Sequence, residues 1–215
     1  MKCPLCGGHF RKFLTINERK NAFCPKCGSL ERHRLLWLYL KQRNDFFQKK
    51  LRVLHVAPIE KFQKQFNKMK NLEYISINII PKRAMFTMDL TQLTFENNYF
   101  DIIICSHVLE HISNDKLAMQ ELYRVLKING WGLILVPIDL KLQKTLEDPS
   151  IQDPIMRREI YGQEDHLRNY GLDFIDRLKN AGFKVNIDDF IESIDKKKKK
   201  KYGINVNEKI FFISK

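Results

Sequence analysis

The 215-residue sequence contains no apolar run that approaches the roughly 18 residues of a membrane-spanning helix. Nor does it open with an apolar core of signal-peptide length, because Cys3 and Pro4 follow the first residues directly. Low-complexity sequence is confined to six lysines, from Lys196 to Lys201, and no internal repeat is found. We therefore expect a globular, cytoplasmic protein without a transmembrane segment.

Acidic residues are few beside basic ones, 25 against 38, which gives a formal net charge of +13. The excess lies toward the two ends of the chain: residues 1–50 carry 12 Lys and Arg against 3 Asp and Glu, and the lysine run follows much later. Residues 51–195 are slightly acidic, with a net charge of −3. The basic ends leave contact with nucleic acid possible, whereas the middle of the chain is not expected to meet phosphate backbones.

Four of the five cysteines form two Cys-x-x-Cys motifs, Cys3 with Cys6 and Cys24 with Cys27, separated by seventeen residues. This spacing is typical of a four-cysteine zinc site, and a reducing compartment disfavours disulfides. His9 could replace a cysteine as a ligand but is not needed. Because four thiolates close the coordination sphere, we predict a structural zinc ribbon over residues 1–28, ahead of a catalytic or redox role.

Residues 29–50 are predicted to form a linking helix that docks the ribbon onto the rest of the chain. Ser29 is placed at its N-cap. Its apolar face consists of Leu30, Leu35, Trp37 and Leu38. The basic stretch Arg32, His33 and Arg34 is expected on a solvated face, with an anionic ligand as the alternative.

Short apolar runs alternate with helical patterns from residue 51 onward, which is typical of a parallel sheet with helices between its strands. The predicted strands cover residues 53–57, 74–80, 86–90, 100–105, 132–137, 184–190 and 209–214. One helix is expected to begin at Pro58, a second to cover residues 115–126 with Leu117 inward and Gly130 at its C-cap, and a third to cover residues 172–180. The lysine run is expected in a solvated loop.

Three segments carry a specific resemblance: IIICSHVLEHI after Asp101, ELYRVLKINGWGLILVP, and LKNAGFKV. They resemble the class I S-adenosylmethionine-dependent methyltransferases over residues 51–215. Together with the cysteine motifs, ERHRLLWLYL, LHVAP and YGQEDHLRNYG, they resemble a branch of that family with an N-terminal zinc ribbon. The resemblance implies an α/β, Rossmann-like sheet of seven strands whose last strand is antiparallel, with S-adenosylmethionine and structural Zn²⁺ as cofactors.

The resemblance also implies a set of cofactor-binding residues at the ends of the first four strands of this sheet. They are His55, Ala57, Pro58, Glu60, Asn78, Asp89, Leu90, Ser106 and His107. The loop from His55 to Glu60 departs from the family pattern because it has no glycine, and Asn78 stands where an acidic residue usually contacts the ribose. An amide bonds these hydroxyls about 1 kcal/mol less strongly than a carboxylate, so weaker cofactor binding is expected.

Methyl transfer from a sulfonium requires alignment of donor and acceptor, and a base only when the acceptor is protonated. His107 is predicted to lie near the transferred methyl. His107 and His111 are four residues apart, a spacing found in metal sites, but only Glu110 accompanies them. We therefore expect Glu110 and His111 to brace the following helix.

The connection over residues 139–171 is longer than a compact α/β unit needs, so we predict a lid over the acceptor. Polar residues cluster toward its end: Gln163, Asp165, His166, Arg168 and Tyr170. His166 is the predicted base, and Arg168 is predicted to grip an acidic acceptor or the cofactor carboxylate. A hydrogen-bonded brace that holds the lid on the sheet is the alternative.

These features predict an S-adenosylmethionine-dependent methyltransferase that acts on an unidentified acceptor, a small molecule or a glycan-type compound. The motif Asp/Asn-Pro-Pro-Tyr/Phe is missing after the fourth strand, which disfavours methylation of the adenine amino group. The alternative is a non-catalytic zinc-ribbon protein that binds nucleic acid through its basic segments and retains a degenerate methyltransferase fold. A protein-binding scaffold is a third possibility.

Overall fold

The computed structural model describes residues 1–215 and contains nine strands, eight α-helices and one 3₁₀ turn. The strands are β1 (Leu14–Ile16), β2 (Arg19–Phe23), β3 (Leu51–Val56), β4 (Leu72–Asn78), β5 (Phe86–Thr87), β6 (Phe100–Ser106), β7 (Leu126–Leu135), β8 (Lys184–Asp188) and β9 (Ile210–Ser214). The helices are α1 (Glu31–Leu40), α2 (Asn44–Gln48), α3 (Glu60–Phe66), α4 (Asp115–Val125), α5 (Pro154–Tyr161), α6 (Phe174–Asn180), α7 (Phe190–Ser193) and α8 (Lys196–Tyr202). The 3₁₀ turn covers Leu109–His111. None of the helices is both long and apolar enough to cross a membrane.

Seven strands form one sheet in the order β5-β4-β3-β6-β7-β9-β8. Strands β3 to β7 are mutually parallel. Helices cover both faces of such strands, which explains why β6 is a continuous apolar run. The last strand, β9, pairs antiparallel with both β7 and β8. The predicted Rossmann-like methyltransferase sheet with an antiparallel last strand is confirmed.

The N-terminal cysteine module shares a continuous apolar core with one face of this sheet. Leu5 and Phe13 of the module join Leu36 of α1 and Phe62 of α3 in that core. The opposite face of the sheet packs on α4 and α6 in a second core. Helix α1 thus packs between the module and the sheet, although the segment predicted as one linking helix is divided into α1 and α2.

Arg34 in α1 is completely buried and joins three parts of the chain. Its guanidinium donates to the carbonyl oxygens of Asn21, Ala22, Ser29, Tyr202 and Gly203, over 2.6 to 3.3 Å. The same group lies 4.5 Å from the ring centroid of Phe13. The solvated face predicted for residues 32–34 is therefore wrong, because His33 is buried as well and the carbonyls of the β2 strand and the α8 terminus need a donor.

Two predicted helix caps are wrong. Leu30, not Ser29, stands at the N-cap of α1, and the Ser29 hydroxyl lies 3.4 Å from the Cys3 sulfur and 3.3 Å from the Cys27 sulfur. Gly130 lies within β7 instead of capping α4, since a Cβ there would stand 2.9 Å from the Lys127 carbonyl oxygen. The glycine is needed for close backbone approach at a register shift.

Several element boundaries also differ from the predictions. The lysine run forms α8 instead of a loop, because the Asp195 side chain accepts from the Lys198 amide and caps the helix, with Gly203 ending it in a left-handed conformation. The third strand of the domain, β5, covers two residues, and Leu117 is 38% exposed instead of inward. Helix α3 begins at Glu60 instead of Pro58.

We predict that Arg34→Met lowers the free energy of unfolding by about 3 kcal/mol or more, because five carbonyls lose a charged donor and each buried orphan costs about 1–3 kcal/mol. Urea denaturation of the zinc-loaded protein measures the change. Arg11→Met, at an exposed arginine of the same module, is the matched control and should change stability by about 0.5 kcal/mol at most. Equal losses of unfolding free energy in the two variants would contradict a stabilising role for the Arg34 hydrogen bonds.

Candidate active site

The carboxyl ends of β3, β4 and β6 lie side by side at one edge of the sheet. Strand β3 pairs with β4 on one side and with β6 on the other, so the chain after β3 and the chain after β6 run to opposite sides. Such a topological switch point is where α/β sheets bind ligands. Ala57 follows β3, Asn78 ends β4 and Ser106 ends β6, so three predicted cofactor residues meet at this point.

The two loops at the switch point leave their strands through left-handed backbone conformations. Ala57 has φ of +47° and His107 has φ of +55°. The Ala57 amide donates to the Ile77 carbonyl and the His107 amide to the Leu135 carbonyl, each over 2.8 Å. Residues held in this region without being glycine cluster at binding sites.

The hydroxyl oxygen of Ser106 is buried and has no hydrogen-bond partner. A buried hydroxyl in this state costs about 1–3 kcal/mol, and a ligand that offers a polar group would remove the cost. Because Ser106 ends the strand at the switch point, its position fits the methionine or adenosyl portion of the implied donor.

Asn78 and Asp89 retain free polar atoms next to exposed apolar surface. The Asn78 Oδ1 accepts from the Ile80 amide over 2.9 Å, and the Asp89 Oδ1 accepts from the Thr91 amide and hydroxyl over 2.8 Å. The Asn78 amide nitrogen and the second Asp89 oxygen make no hydrogen bond within the protein. Ile79 is 63% exposed beside Asn78, so a planar base and its ribose have both an apolar and a polar contact there.

Three of the predicted cofactor residues have side chains engaged elsewhere. His55 lies among aromatic rings, 5.4 Å from the ring centroid of Phe62 and 5.8 Å from that of Phe66, so its side chain belongs to the core. Leu90 is buried in the opposite core. The Glu60 carboxylate is exposed and pairs with Lys64 one helical turn later. Pro58 is buried just before α3 and contributes chain direction rather than a polar contact.

His107 stands between two carboxylates. Its Nε2 lies 3.2 Å from Glu208, and its Nδ1 lies 3.4 Å from Oε1 of Glu110. Burial lowers the pKa of His107, but the two carboxylates outweigh it and the net shift is upward. His107 therefore follows β6 at the switch point with both ring nitrogens turned to acidic groups, and its place near the transferred methyl stays a prediction.

Glu110 is the most enclosed of these charged groups, with no exposed surface. Burial raises its pKa, yet His107 and His111 outweigh burial, so the pKa is lowered and the carboxylate is ionised. Neither of its oxygens has a hydrogen-bond partner, since the 3.4 Å approach of His107 lies within ion-pair range but lacks hydrogen-bond geometry. The predicted brace by Glu110 is wrong, because a brace needs hydrogen bonds that this carboxylate does not make.

His166 comes from the lid and lies against His111, with ring centroids 4.8 Å apart. Its Nδ1 donates to the Tyr161 carbonyl over 3.0 Å, which leaves Nε2 unprotonated, buried and without a partner. Burial lowers the pKa of His166. A neutral ring with a free nitrogen is what the predicted base requires.

Arg168 does not reach for a ligand, so the predicted grip on an acceptor or cofactor carboxylate is wrong. Its guanidinium donates to Glu147 over 2.8 Å and to the carbonyl oxygens of Leu109 and Ser113 over 3.0 and 2.9 Å. A further short bond reaches the carbonyl of Ile112. Arg168 thus ties the lid to the 3₁₀ turn after β6, the brace that the sequence left as the alternative.

The lid has its own helix, α5, and covers a polar cavity of about 480 Å³. Asn114 and Lys116 line it from α4, and Gln152, Arg157 and Arg168 line it from the lid. None of the predicted cofactor residues borders this cavity.

The four paired cysteines converge as their spacing predicted. The sulfurs of Cys3 and Cys27 are 3.7 Å apart, those of Cys6 and Cys24 are 3.8 Å apart, and all four lie within 4.8 Å of one another. A zinc tetrahedron with bonds of about 2.3 Å has edges of about 3.8 Å. The donor set therefore fits zinc.

Sequence reasoning missed Glu208, which arrives at the active-site edge from the loop before β9. Arg32 was named only as an alternative contact for an anion, and its Nε is buried without a partner. Burial lowers the pKa of Arg32, against the opposing effect of Glu208 and Glu110 nearby. The one signal for Glu208 was its position just before a strand that the fold places beside β7.

Residues 41–134 match the family model described as the methyltransferase domain. No curated protein matches the chain by sequence. Three similar solved structures are a methyltransferase dependent on S-adenosylmethionine from Archaeoglobus fulgidus, another from Mesorhizobium loti, and the YcgJ protein from Bacillus subtilis. Their identities to this chain are 14%, 11% and 14%, and their TM-scores are 0.57, 0.59 and 0.56. The alignments cover 88%, 84% and 84% of this chain, and 96%, 98% and 97% of those chains.

Residues 41–134 thus match a methyltransferase domain, and the fold is that of class I methyltransferases. The match supports the predicted enzyme class, a methyltransferase. At these identities the solved structures support the fold alone, so the acceptor has to be argued from the site.

We predict that His55→Phe makes the protein less sensitive to acid. Burial lowers the pKa of His55 to about 3, whereas the unfolded chain takes up this proton near its ordinary value of about 6.5. Wild-type stability therefore falls as the pH drops below about 6.5, by a term approaching 1.4 kcal/mol per pH unit, roughly the value of one proton.

Urea denaturation from about pH 6.5 to about pH 5 should show the His55→Phe variant gaining on the wild type as the pH falls. His9→Phe, at an exposed histidine, is the control and should track the wild type. A constant difference between His55→Phe and wild type across this range would contradict a buried neutral His55.

Proposed function

We propose that this protein binds S-adenosylmethionine across the ends of β3, β4 and β6 and transfers its methyl group to a small polar acceptor held under the lid. The observation that carries the proposal is the unpartnered Ser106 hydroxyl at the topological switch point. The left-handed turn at Ala57 and the free atoms of Asn78 and Asp89 support the same placement.

The donor supplies an activated methyl on a sulfonium, and the residues of the chain align and shield it. Asn78 and Asp89 would hold the ribose and base, and the exposed Ile79 side chain would offer the base an apolar contact. Ser106 and the backbone after Ala57 would hold the methionine portion. Because the carboxyl groups of Glu110 and Glu208 stand beside His107, this edge of the sheet is suited to positive charge, which a sulfonium carries.

The lid and its cavity support a polar acceptor of small-molecule or glycan type. Hydrogen-bonding side chains line that cavity, whereas few apolar ones do. Arg168 fixes the lid to the turn after β6, which brings the cavity and His166 to the same end of the sheet. The four-cysteine module is proposed as a zinc ribbon whose role is structural, since four thiolates leave no open coordination position.

Isothermal titration of the zinc-loaded protein with S-adenosylmethionine tests the proposal directly. Saturable binding is expected, together with a rise in Tm. The absence of both binding heat and a thermal shift at about millimolar donor would overturn the enzyme proposal, since metabolite sites of enzymes operate at or below that range.

We predict that Asn78→Asp tightens binding of S-adenosylmethionine about fivefold. A carboxylate at this position still accepts from the Ile80 amide with one oxygen and offers the other to the ribose hydroxyls as a charge-assisted acceptor, a gain of about 1 kcal/mol. Titration calorimetry measures the Kd. Asn67→Asp, at an exposed asparagine after α3, adds the same charge away from the site and should leave the Kd unchanged. Unchanged or weaker binding by Asn78→Asp would show that the ribose does not contact residue 78 at the end of β4.

A second candidate function, contact with RNA, is favoured by the way the structure joins the two basic segments. The Lys2 amide donates to the Lys201 carbonyl over 2.8 Å, which sets the cysteine module against α8. A cavity of about 500 Å³ between them has no acidic side chain in its wall. Its basic lining residues are Lys2, His9, Arg11, Lys197, Lys200 and Lys201.

If this face binds RNA, affinity for a mixed-sequence single-stranded oligonucleotide should fall steeply with salt. Replacing Lys197, Lys200 and Lys201 by serine should reduce the slope of log K against log salt by about 2, since each lost phosphate contact removes about 0.7. Fluorescence anisotropy at several salt concentrations measures the slope. The control replaces three exposed lysines elsewhere: Lys64, Lys68 and Lys70. Equal slopes for the two triple variants would exclude this face.

A further inference from the structure

We propose a second metal site, formed by Glu110, His111 and His166, that takes Zn²⁺ or a similar divalent transition metal. One donor atom from each of these side chains lies within 4.8 Å of the other two. Glu110 and His111 come from the turn after β6, and His166 comes from the lid, so the site joins two segments that are distant in sequence.

The protonation pattern of the two histidines prepares them as ligands. His166 Nδ1 donates to the Tyr161 carbonyl over 3.0 Å, and His111 Nδ1 donates to the Asp165 carbonyl over 3.1 Å. A carbonyl can only accept, so each Nδ1 donates its proton, and Nε2 is left as the nitrogen available to a metal. His111 Nδ1 also lies 3.2 Å from the Asp165 carboxylate. Carbonyl and carboxylate partners on the remote nitrogen are typical of metal-bound histidines.

The proposed ligand atoms of Glu110 and His166 have no partner within the protein. Glu110 is completely buried and His166 is 4% exposed, yet both Glu110 oxygens and His166 Nε2 lack hydrogen-bond partners. His107 approaches one Glu110 oxygen to 3.4 Å, which leaves the other free. Buried atoms with unpaired lone pairs are costly without a partner, and one cation would pair with three of them at once.

Geometry and access also suit a metal ion. A zinc site with bonds of about 2.0–2.1 Å needs donors about 3.4 Å apart, so the donors have to close by about 1.4 Å at most, within reach of side-chain rotation. The His111 side chain is 31% exposed, which provides a path from solvent. A proton on His166 Nε2 would satisfy one lone pair, whereas the convergence of three donors favours the metal over a general base.

Two histidines and a carboxylate leave a coordination position open, as in catalytic zinc sites. An acceptor thiol or hydroxyl could bind there and lose its proton more easily. That role rests on the proposed methyl transfer, whereas the metal content does not. The site differs from the four-cysteine module in donor type, so the two can be counted separately.

Metal analysis after equilibration in buffered zinc should find about two zinc ions per chain in the wild type and about one in Glu110→Gln and His166→Ala. His9→Ala, at an exposed histidine outside the cluster, should retain about two. Cobalt substituted at the second site should show absorption typical of nitrogen and oxygen ligands without a thiolate charge-transfer band.

Thermal unfolding keeps the test independent of activity and of folding losses. In protein whose four-cysteine module is already loaded, further zinc should raise the Tm of the wild type and of His9→Ala, but not that of Glu110→Gln. Because Glu110→Gln also removes the ion pair with His107, the Tm of each variant is compared with and without added zinc rather than with the wild type. If Glu110→Gln does not fold, His111→Ala takes its place.

One zinc per chain in the wild type, or the same zinc content in wild type and Glu110→Gln, would overturn the second site. Retention of two zinc ions by His166→Ala, with only its pH profile of methyl transfer changed, would assign His166 to proton transfer instead. Failure of S-adenosylmethionine to bind would leave the zinc count untouched, so the two proposals fail separately.

Discussion

The buried carboxylate of Glu110 is the constraint on which the active-site edge depends. An ionised carboxylate taken out of water costs several kcal/mol unless positive or hydrogen-bonding groups surround it. Those groups come from distant parts of the chain: His107 follows β6, His111 lies in the same 3₁₀ turn as Glu110, and Arg32 comes from the helix after the cysteine module. Glu208, from the loop before β9, balances His107 and Arg32. The helix after the cysteine module and the loop before β9 thereby meet at one end of the sheet through a common charge requirement, and the site cannot be described from the central domain alone.

How far the fold could be predicted follows from which interactions are local. The buried strands of the sheet were predictable because burial on both faces demands continuous apolar runs, and the antiparallel last strand followed from the family resemblance. The errors occur where distant groups decide. Arg34 looks like a surface arginine in sequence, yet carbonyls up to 169 residues away capture it. Gly130 looks like a helix cap, but the approach of the neighbouring strand at a register shift requires it to lack a Cβ. The lysine run was predicted as a solvated loop because it precedes the last strand in a hairpin connection, but Asp195 caps it as a helix.

The candidate site divides in the same way. The family resemblance placed Ala57, Asn78 and Ser106 together, and the strand pairing explains it, since the ends of parallel strands share an edge. Side-chain roles were less predictable: His55 alternates into the core, and Arg168 finds carbonyl acceptors in the turn after β6 before it can meet a ligand. The partnership of Glu110 with His166 joins residues on two separate loops. No spacing rule in the sequence could reveal this contact, because the lid lacks a regular repeat from which the positions of its side chains relative to the sheet could be predicted.

The loop after β3 has lost glycine without losing the conformation that glycine usually supplies. Ala57 and His107 both occupy the left-handed region, at about 1–2 kcal/mol for each residue that carries a Cβ. Such strain persists only where neighbouring structure holds the backbone, and both amides continue the hydrogen-bond ladder one step past the strand end, to Ile77 and to Leu135. The departure from the family's sequence pattern therefore changes a side chain rather than a turn. Alanine adds the smallest side chain that can stand there, so any weakness in donor binding should come from the missing carboxylate at Asn78 more than from the shape of this loop.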